Sequence, residues 1–152
     1  MSELDVIATD FEFLEDWDQR YQYLTELGDA LEPMPESEKT DGNRVKACMS
    51  KVWVKALPDP QRAGRIIFHG DCDTAIIKGV VALLVNLFHG KSPEQIVDMD
   101  VDALFDRIRL AENLSPTRHV GVYAIVEQMR QQAVVLASTG GSVSLDGLMQ
   151  PS

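Results

Sequence analysis

The spacing of apolar residues predicts a helix near the start of the chain. From Phe11 to Leu31 apolar residues recur at intervals of three and four, which places them along one face of a helix. Pro33 and Pro35 end this helix, because proline lacks the backbone N–H that the helical ladder needs. The predicted face consists of Leu14, Trp17, Tyr21, Leu24 and Leu31, with Gly28 at the remaining step.

The apolar period changes to two after residue 50, which predicts strands. Lys51 to Leu57 carries small apolar residues at every second position, the repeat of a half-buried strand. Arg65 to His69 is short, contains β-branched residues and is followed by Gly70. Two prolines and a glycine lie between these segments, so an antiparallel hairpin with a long loop is the simplest arrangement.

Helix signals dominate the remainder of the chain. Asp71 or Asp73 is expected to cap a helix that stops at Gly90, and this helix is apolar on nearly every side, which predicts burial. Ser92 and Gln95 have the spacing of a capping box that starts another helix. Two further helices are predicted, one from Asp100 to about Ile108 and one beginning at Ser115-Pro116.

The order of these elements predicts an α+β fold in which a small antiparallel β-sheet packs against several α-helices. The last helix has an apolar stripe that runs from Val122 to Leu136. The segment from Ser138 to Ser152 holds three glycines and few apolar residues, so we expect a mobile tail. Residues 1–137 are predicted to form a single domain.

Composition and charge narrow the classes of function. The chain has 152 residues and a net charge of −10, which argues against a nucleic-acid binder, because such proteins present a basic face. Two cysteines are too few for a disulfide framework or a four-cysteine zinc site. The acidic N-terminus does not resemble a signal peptide, and the longest apolar stretch is too short to span a bilayer. A cytoplasmic location is the expectation.

Cys48 lies in a segment that reverses the overall sign of charge. No acidic residue occurs between Arg44 and Leu57. Positive neighbours favour the thiolate form of a cysteine, which is the nucleophilic form, if the thiol is partly exposed. A turn-rich segment that enters a strand is commonly an exposed loop. The four cations around Cys48 are Arg44, Lys46, Lys51 and Lys55.

Two other chemistries are considered for Cys48. A hydrolytic nucleophile needs a positioned base, usually histidine, and none of His69, His89 and His119 belongs to a recognisable catalytic motif. A zinc or iron site formed by Cys48, His69 and Cys72, completed by a nearby aspartate, is an alternative, although its spacing matches no compact metal motif. A disulfide between the two cysteines also stays open.

Several motifs, in the right order, resemble the SufE family and its CsdE relatives. The active loop of that family has the pattern N-R-V-x-G-C-x-S-x-V-W. The matching residues are Asn43-Arg44-Val45, Cys48, Ser50, Val52-Trp53, Gly70-Asp71, Asp73, Ile76-Ile77-Lys78-Gly79, Gly90, Leu114-Ser115-Pro116, Arg118 and Gly121. The resemblance covers about residues 10–135 and implies a SufE/NifU-like architecture.

The resemblance implies a sulfur acceptor and carrier without a cofactor of its own. Its implied partners are a pyridoxal-phosphate cysteine desulfurase of the SufS/CsdA type and an iron–sulfur scaffold of the SufB type. Cys48 would accept the persulfide sulfur and stimulate desulfurase turnover. The alternatives are an IscU-like metal or cluster scaffold and a stand-alone thiol enzyme. The implied supporting or partner-binding residues are Asn43, Arg44, Lys46, Ser50, Lys51, Trp53, Asp71, Asp73 and Arg118.

Arg118 matches the family, whereas Ala47 and Cys72 depart from it. Arg118 is expected to pair with Asp71 or Asp73, or otherwise to contact the desulfurase. Ala47 replaces the glycine usual in the family, which predicts altered loop mobility because alanine resists positive φ. Cys72 stands where the family often has serine, and we interpret it as a tolerated replacement that has nearly the same shape as serine. The alternative is a second thiol that resolves a Cys48 persulfide.

Overall fold

The computed structural model describes residues 3–14, 16–48, 50–110, 112 and 114–140. The predicted α+β class is confirmed, because a two-stranded antiparallel sheet packs against helices. The elements in chain order are α1 (Glu3–Glu12), α2 (Trp17–Ala30), two 3₁₀ turns (Glu36–Glu38 and Asp41–Asn43), β1 (Val52–Pro58), β2 (Ile66–Cys72), α3 (Ala75–Phe88), α4 (Pro93–Asp98), α5 (Val101–Arg107) and α6 (Pro116–Gly140).

The β1–β2 hairpin divides the molecule into an inner and an outer sheet face. The register runs from Val52 opposite Cys72 to Pro58 opposite Ile66. Alternate residues of a strand point to opposite faces, so Val52, Cys72 and Phe68 share the inner face and are buried there. Helix α3 packs against β2 and α6 packs against β1, which places the hydrophobic core around this face.

Helix α3 is buried on nearly every side, as its apolar composition predicts. Helix α2 packs directly on it through Gly28 and Gly79. A Cβ atom at Gly79 would lie 2.2 Å from the carbonyl oxygen of Leu24, so only glycine permits this approach of the two backbones. Gly90 follows α3 with a φ of 70°, which fits its predicted role as the helix stop.

The predicted helix from Phe11 to Leu31 is wrong at its start, because the chain breaks between α1 and α2. The side chain of Asp16 accepts a hydrogen bond from the backbone N–H of Gln19 at 2.9 Å and thereby caps α2. The apolar spacing hides this break, because intervals of three and four residues continue across it and both helices bury apolar residues of this series, Phe11 in α1 and Leu24 in α2. An Asp-x-x-Gln pattern at positions 16–19 is the local signal for it.

The second strand is longer than its apolar run predicts. It continues to Cys72, so Asp71 belongs to β2 and is not a helix cap. Asp73 does not cap α3 either; Thr74 occupies the N-cap position, and the Asp73 carboxylate accepts the backbone N–H of Lys51. Pairing with β1 carries β2 past Gly70, which the sequence pattern alone does not show.

The remaining helix starts are confirmed. Ser92 and Gln95 form the predicted capping box, and Asp100 accepts the N–H of Ala103 at 3.0 Å. Helix α6 continues through Gly140, past the predicted start of the tail at Ser138. The rest of the predicted tail, residues 141–152, lies outside the described residues. No helix in the described ranges is both long and apolar enough to cross a bilayer.

Candidate functional site

Cys48 lies inward in a loop whose neighbouring residues face solvent. We call residues 46–50, between the second 3₁₀ turn and β1, the Cys48 loop; Met49 lies outside the described residues. Lys46 and Ala47 are exposed, whereas Cys48 is only 8% exposed. Ala47 does not adopt a positive φ, since Arg109 is the only non-glycine residue with one among those described. Alanine is therefore compatible with this loop conformation.

Gly121 of α6 forms one wall of the site that holds the Cys48 thiol. A Cβ atom at position 121 would lie 3.0 Å from Cys48 Sγ and 3.4 Å from both the Cα and Cβ atoms of Cys48. Carbon atoms normally pack at about 3.5–4.0 Å, so a methyl group there would press on the cysteine. The thiol therefore rests against the bare backbone of a helix.

The loop is attached at its start to β1 and α6. The backbone N–H of Val45 donates to the carbonyl oxygen of Val52 at 2.8 Å. Asn43, one of the predicted supporting residues, donates its side-chain amide to the carbonyl oxygen of Glu38 at 2.8 Å. Its own carbonyl oxygen accepts Nε2 of Gln128 at 3.0 Å. These contacts fix the chain just before the Cys48 loop.

The end of the loop is attached to the start of α3. The hydroxyl groups of Ser50 and Thr74 lie 2.7 Å apart, and Lys51 N–H donates to Asp73 Oδ1 at 3.0 Å. The backbone N–H of Asp73 returns a hydrogen bond to the carbonyl oxygen of Lys51 at 3.1 Å. Both ends of the loop are therefore held, while among the described residues the Cys48 N–H makes a long bond of 3.4 Å to the carbonyl oxygen of Val45.

Two glutamines of α6, which the apolar pattern does not single out, hold the helix to the hairpin region: Gln128 bonds to Asn43, and Gln132 bonds to β1. Gln132 accepts the Ala56 N–H at 2.9 Å and donates to the Val54 carbonyl oxygen at 2.8 Å. Gln128 and Gln132 lie on one helical stripe with Gly121, because they follow it by seven and eleven residues. That polar stripe beside the apolar one is the signal that could have identified them.

Some of the cations near Cys48 in sequence pair with acidic residues in the fold. Lys46 Nζ lies 2.6 Å from Asp41, and its hydrogen bond lowers the pKa of that exposed carboxyl group. Lys55 Nζ lies 3.9 Å from Glu38, and Arg44 pairs through its backbone with Trp53. Two of the four cations, Lys46 and Lys55, thus pair with acidic residues from outside the segment, and the reversal of sign seen in the sequence is partly compensated in the fold.

Trp53 and Asp71, both predicted site residues, lie on the outer face of the hairpin, opposite Cys48. Lys39 Nζ lies 2.8 Å from Asp71 and 5.7 Å from the ring centroid of Trp53, and Lys78 lies 3.5 Å from Asp71. Partial burial opposes ionisation of Asp71, but the hydrogen bonds from Lys39 and the Cys72 N–H outweigh it and lower the pKa. These residues support the hairpin from behind.

The expected ion pair of Arg118 with Asp71 or Asp73 does not form. Asp71 is bound by Lys39 and Lys78, and Asp73 is bound at the end of the Cys48 loop. Arg118 is exposed, and within the described part of the chain its guanidinium has no carboxylate partner. It lies one helical turn before Gly121, on the stripe that reaches the loop.

The alternative metal site is contradicted by the register of β2. His69 and Cys72 have opposite parity on this strand, so His69 lies on the outer face, where its Nδ1 is 2.7 Å from Glu38 Oε1. Cys48 and Cys72 lie on the inner side. Among the described residues, no group of three or more His, Cys, Asp or Glu side chains could hold a metal ion.

A histidine base beside Cys48 is also missing from the described residues. His119 packs against Tyr123, with ring centroids 4.8 Å apart and the ring planes tilted by 60°. It precedes Gly121 by two residues, which places it on the other side of α6 from the thiol. His89 is exposed at the end of α3, and His69 binds Glu38. The geometry gives no support to a hydrolytic mechanism.

Cys72 is as buried as Cys48 but is held differently. It lies in β2 opposite Val52, is 6% exposed and accepts the Thr74 N–H at 3.4 Å. Burial raises the pKa of its thiol to about 11, and the nearby charge of Asp73 adds to this effect. Both cysteines are free thiols.

Comparisons with known proteins agree on the family. The SufE family, described as an Fe-S metabolism associated domain, matches residues 5–133. A protein of Rhizobium etli, described as an uncharacterized SufE-like protein, is 38% identical over 139 residues, which cover 91% of this chain and 94% of that protein.

A solved structure supports the fold. The solution structure of a hypothetical protein from Thermus thermophilus matches with a TM-score of 0.74 at 21% identity, covering 91% of this chain and 99% of that one. The resemblance seen in the motifs is thereby confirmed along nearly the whole described chain. The chain belongs to the SufE family, which links it to sulfur transfer in iron–sulfur metabolism.

Proposed function

We propose that this protein accepts sulfur on Cys48 from a pyridoxal-phosphate cysteine desulfurase and delivers it to an iron–sulfur scaffold. The desulfurase would be of the SufS/CsdA type and the scaffold of the SufB type. By removing the persulfide sulfur from the desulfurase, the protein stimulates turnover of that enzyme. It acts as an accessory carrier with a covalent persulfide intermediate.

The observation that carries the proposal is a sheltered thiol on a loop that is fixed at both ends. Cys48 is buried against α6, yet the hydrogen bond that its backbone N–H makes within the described part of the chain is a long one, to Val45. Exchange with a persulfide requires a thiolate and access, and no histidine base. An outward movement of the loop gives access, and a return protects the bound sulfur from water and from other thiols.

The transfer step is an exchange of sulfur between two thiol groups. The Cys48 thiolate attacks the outer sulfur of the desulfurase persulfide and forms a new S–S bond. The S–S bond in the desulfurase breaks, and its cysteine leaves as a thiolate. Sulfur keeps its oxidation level through the exchange, so no external oxidant or reductant is required. Delivery to the scaffold repeats the same exchange with Cys48 as the leaving thiolate.

The other predicted site residues divide into two roles under this proposal. One group holds the loop and the hairpin behind it, namely Asn43, Ser50, Asp73, Trp53 and Asp71. The other group supplies cationic side chains that contact the desulfurase, namely Arg44, Lys46, Lys51 and Arg118. Because Arg118 is exposed and has no acidic partner in the described chain, partner contact is the better role for it.

Mass spectrometry after incubation with a desulfurase and cysteine tests the proposal. The wild-type protein is expected to gain the mass of one sulfur atom on the peptide that contains Cys48. The variant Cys48→Ser is expected to gain none and to leave desulfurase turnover at its basal rate. Cys72→Ser is the matched control, since it removes the other buried thiol, and it is expected to behave as wild type.

Two results would contradict the assignment. A persulfide on Cys72 in the Cys48→Ser variant would place the acceptor elsewhere. Equal stimulation of turnover by wild type and Cys48→Ser would separate activation from sulfur acceptance.

A further inference from the structure

Gly121 occupies a position where helix propensity favours another residue. It is the sixth residue of the 25-residue helix α6. Glycine in a helix interior is less favourable than alanine, so a specific packing reason is expected. The atoms that a Cβ at this position would approach most closely all belong to Cys48. The absence of a side chain at position 121 therefore leaves space for Cys48.

We propose that Gly121 is a positioning residue that sets the resting position of Cys48 and thereby the balance between its sheltered and outward states. This inference rests on the proposed function, in which Cys48 moves outward to accept sulfur. An added methyl group would take up space that the cysteine fills at rest. The sheltered state would become less favourable, while the outward state would be unaffected.

A methyl group added at position 121 must displace either helix α6 or the Cys48 loop. Helix α6 is anchored by Ile125, which is fully buried, and by the hydrogen bonds of Gln128 and Gln132. Between the two ends of the Cys48 loop, the backbone hydrogen bond of the described residues is the long one from Cys48 to Val45. The loop therefore moves and the helix stays in place.

The α2–α3 contact shows the opposite case within the same molecule. There a Cβ at Gly79 would meet the backbone of Leu24 at 2.2 Å, and both sides of the contact are helices. Neither backbone can yield, so that glycine serves packing alone. At Gly121 the opposing group belongs to a loop, and the contacts of 3.0 and 3.4 Å require a shift of only a few tenths of an ångström.

Alkylation of Cys48 without any desulfurase tests this proposal directly. The measurement uses iodoacetamide on the full chain in a Cys72→Ser background, so that a single thiol reacts. Gly121→Ala is expected to raise the alkylation rate about tenfold, the ratio for a loss of about 1.4 kcal/mol in the sheltered state, which is within the usual cost of overpacking. Gly42→Ala is the matched control, because its nearest contact is Thr40 Oγ1 at 3.9 Å, and it is expected to leave the rate unchanged.

Hydrogen exchange separates a local shift from damage to the helix. The amides of residues 46–50 are expected to exchange faster in Gly121→Ala, while those of residues 122–132 keep their wild-type protection. Faster exchange across the helix would overturn the proposal, since glycine would then be required by the helix itself. The proposal would also be overturned if Gly121→Ala were alkylated at the wild-type rate, or if Gly42→Ala raised the rate as much as Gly121→Ala.

The desulfurase assay distinguishes this inference from the proposed function. With a limiting amount of desulfurase, Gly121→Ala is expected to acquire the Cys48 persulfide faster than wild type and to lose it faster to a small thiol. If alkylation rises as expected but no persulfide forms on any variant, the positioning role holds and the sulfur-acceptor function fails. If wild type forms the persulfide and Gly121→Ala matches it in every rate, only the positioning role fails.

Discussion

The two cysteines are equally hidden from solvent, yet the chain holds them in different ways. Cys72 is 6% exposed and Cys48 is 8% exposed. Cys72 belongs to a paired strand, and its movement would require the hairpin to open. Cys48 belongs to a short loop that is attached at its ends and rests against a glycine. Burial describes how little of a side chain is in contact with solvent. The hydrogen bonds that hold its backbone decide how easily that side chain can move out to the solvent.

The largest expected difference between the two thiols is in their rate of alkylation. At neutral pH only about one in 10⁴ molecules carries the Cys72 thiolate, because its pKa is about 11. Its strand must also open before a reagent can reach it. We expect Cys48 to react at least about a thousandfold faster, as measured by peptide mapping of wild-type protein treated with iodoacetamide. If Cys48 and Cys72 were alkylated at comparable rates, the loop would hold its cysteine no more loosely than the strand does.

The second prediction concerns the effect of pH on the free energy of unfolding. The folded protein raises the pKa of Cys72 from 9.0 to about 11, so the unfolded chain loses this proton first. The stabilisation from Cys72 is therefore complete below pH 9 and is lost as the pH rises to 11. Wild type should lose up to about 3 kcal/mol relative to Cys72→Ser over this range in urea unfolding.

The control for this pH experiment is the difference between variants. Lysine and tyrosine residues also titrate at alkaline pH, but they are shared by wild type and Cys72→Ser and cancel. A constant difference in stability between pH 8 and 11 would show that the environment of Cys72 does not oppose its ionisation.

The smallest expected effect comes from the attachment at the end of the Cys48 loop. Asp73→Ala removes the acceptor for the Lys51 N–H, which costs about 1 kcal/mol, so alkylation of Cys48 should rise about fivefold. Asp71→Ala is the control, because it breaks ion pairs with Lys39 and Lys78 and the hydrogen bond from the Cys72 N–H, while the bond between Lys51 and Asp73 stays in place. If both variants raise the rate equally, the hairpin as a whole controls the thiol, and not the local attachment.

The parts of the fold that depend on short-range signals can be predicted from the sequence. The capping box of Ser92 and Gln95, the stop at Gly90 and the buried character of α3 each depend on residues within a few positions of one another. The family motifs likewise identify Cys48 from the order of residues alone. The break before α2 is also local, at Asp16 and Gln19, but a continuous apolar spacing obscures it.

The geometry of the site depends on contacts between distant parts of the chain. The burial of Cys48 requires α6 to cross the loop at Gly121, and the compensation of Lys55 requires Glu38 from an earlier turn. The separation of His69 from the cysteines depends on the strand register, which continues further than the apolar pattern indicates. The sequence pattern therefore shows the cations of the segment, but not which of them pair with acidic residues in the fold.

The pair of hydrogen bonds made by Gln132 has a consequence for association between molecules. A strand with an open edge offers its N–H and C=O groups to any extended segment that approaches it. Gln132 occupies two such groups on β1, and residues 44–45 cover the preceding part of the same edge. An added peptide strand cannot pair there unless it displaces both. The sheet is thus closed to growth along the edge of β1 that lies next to the Cys48 loop.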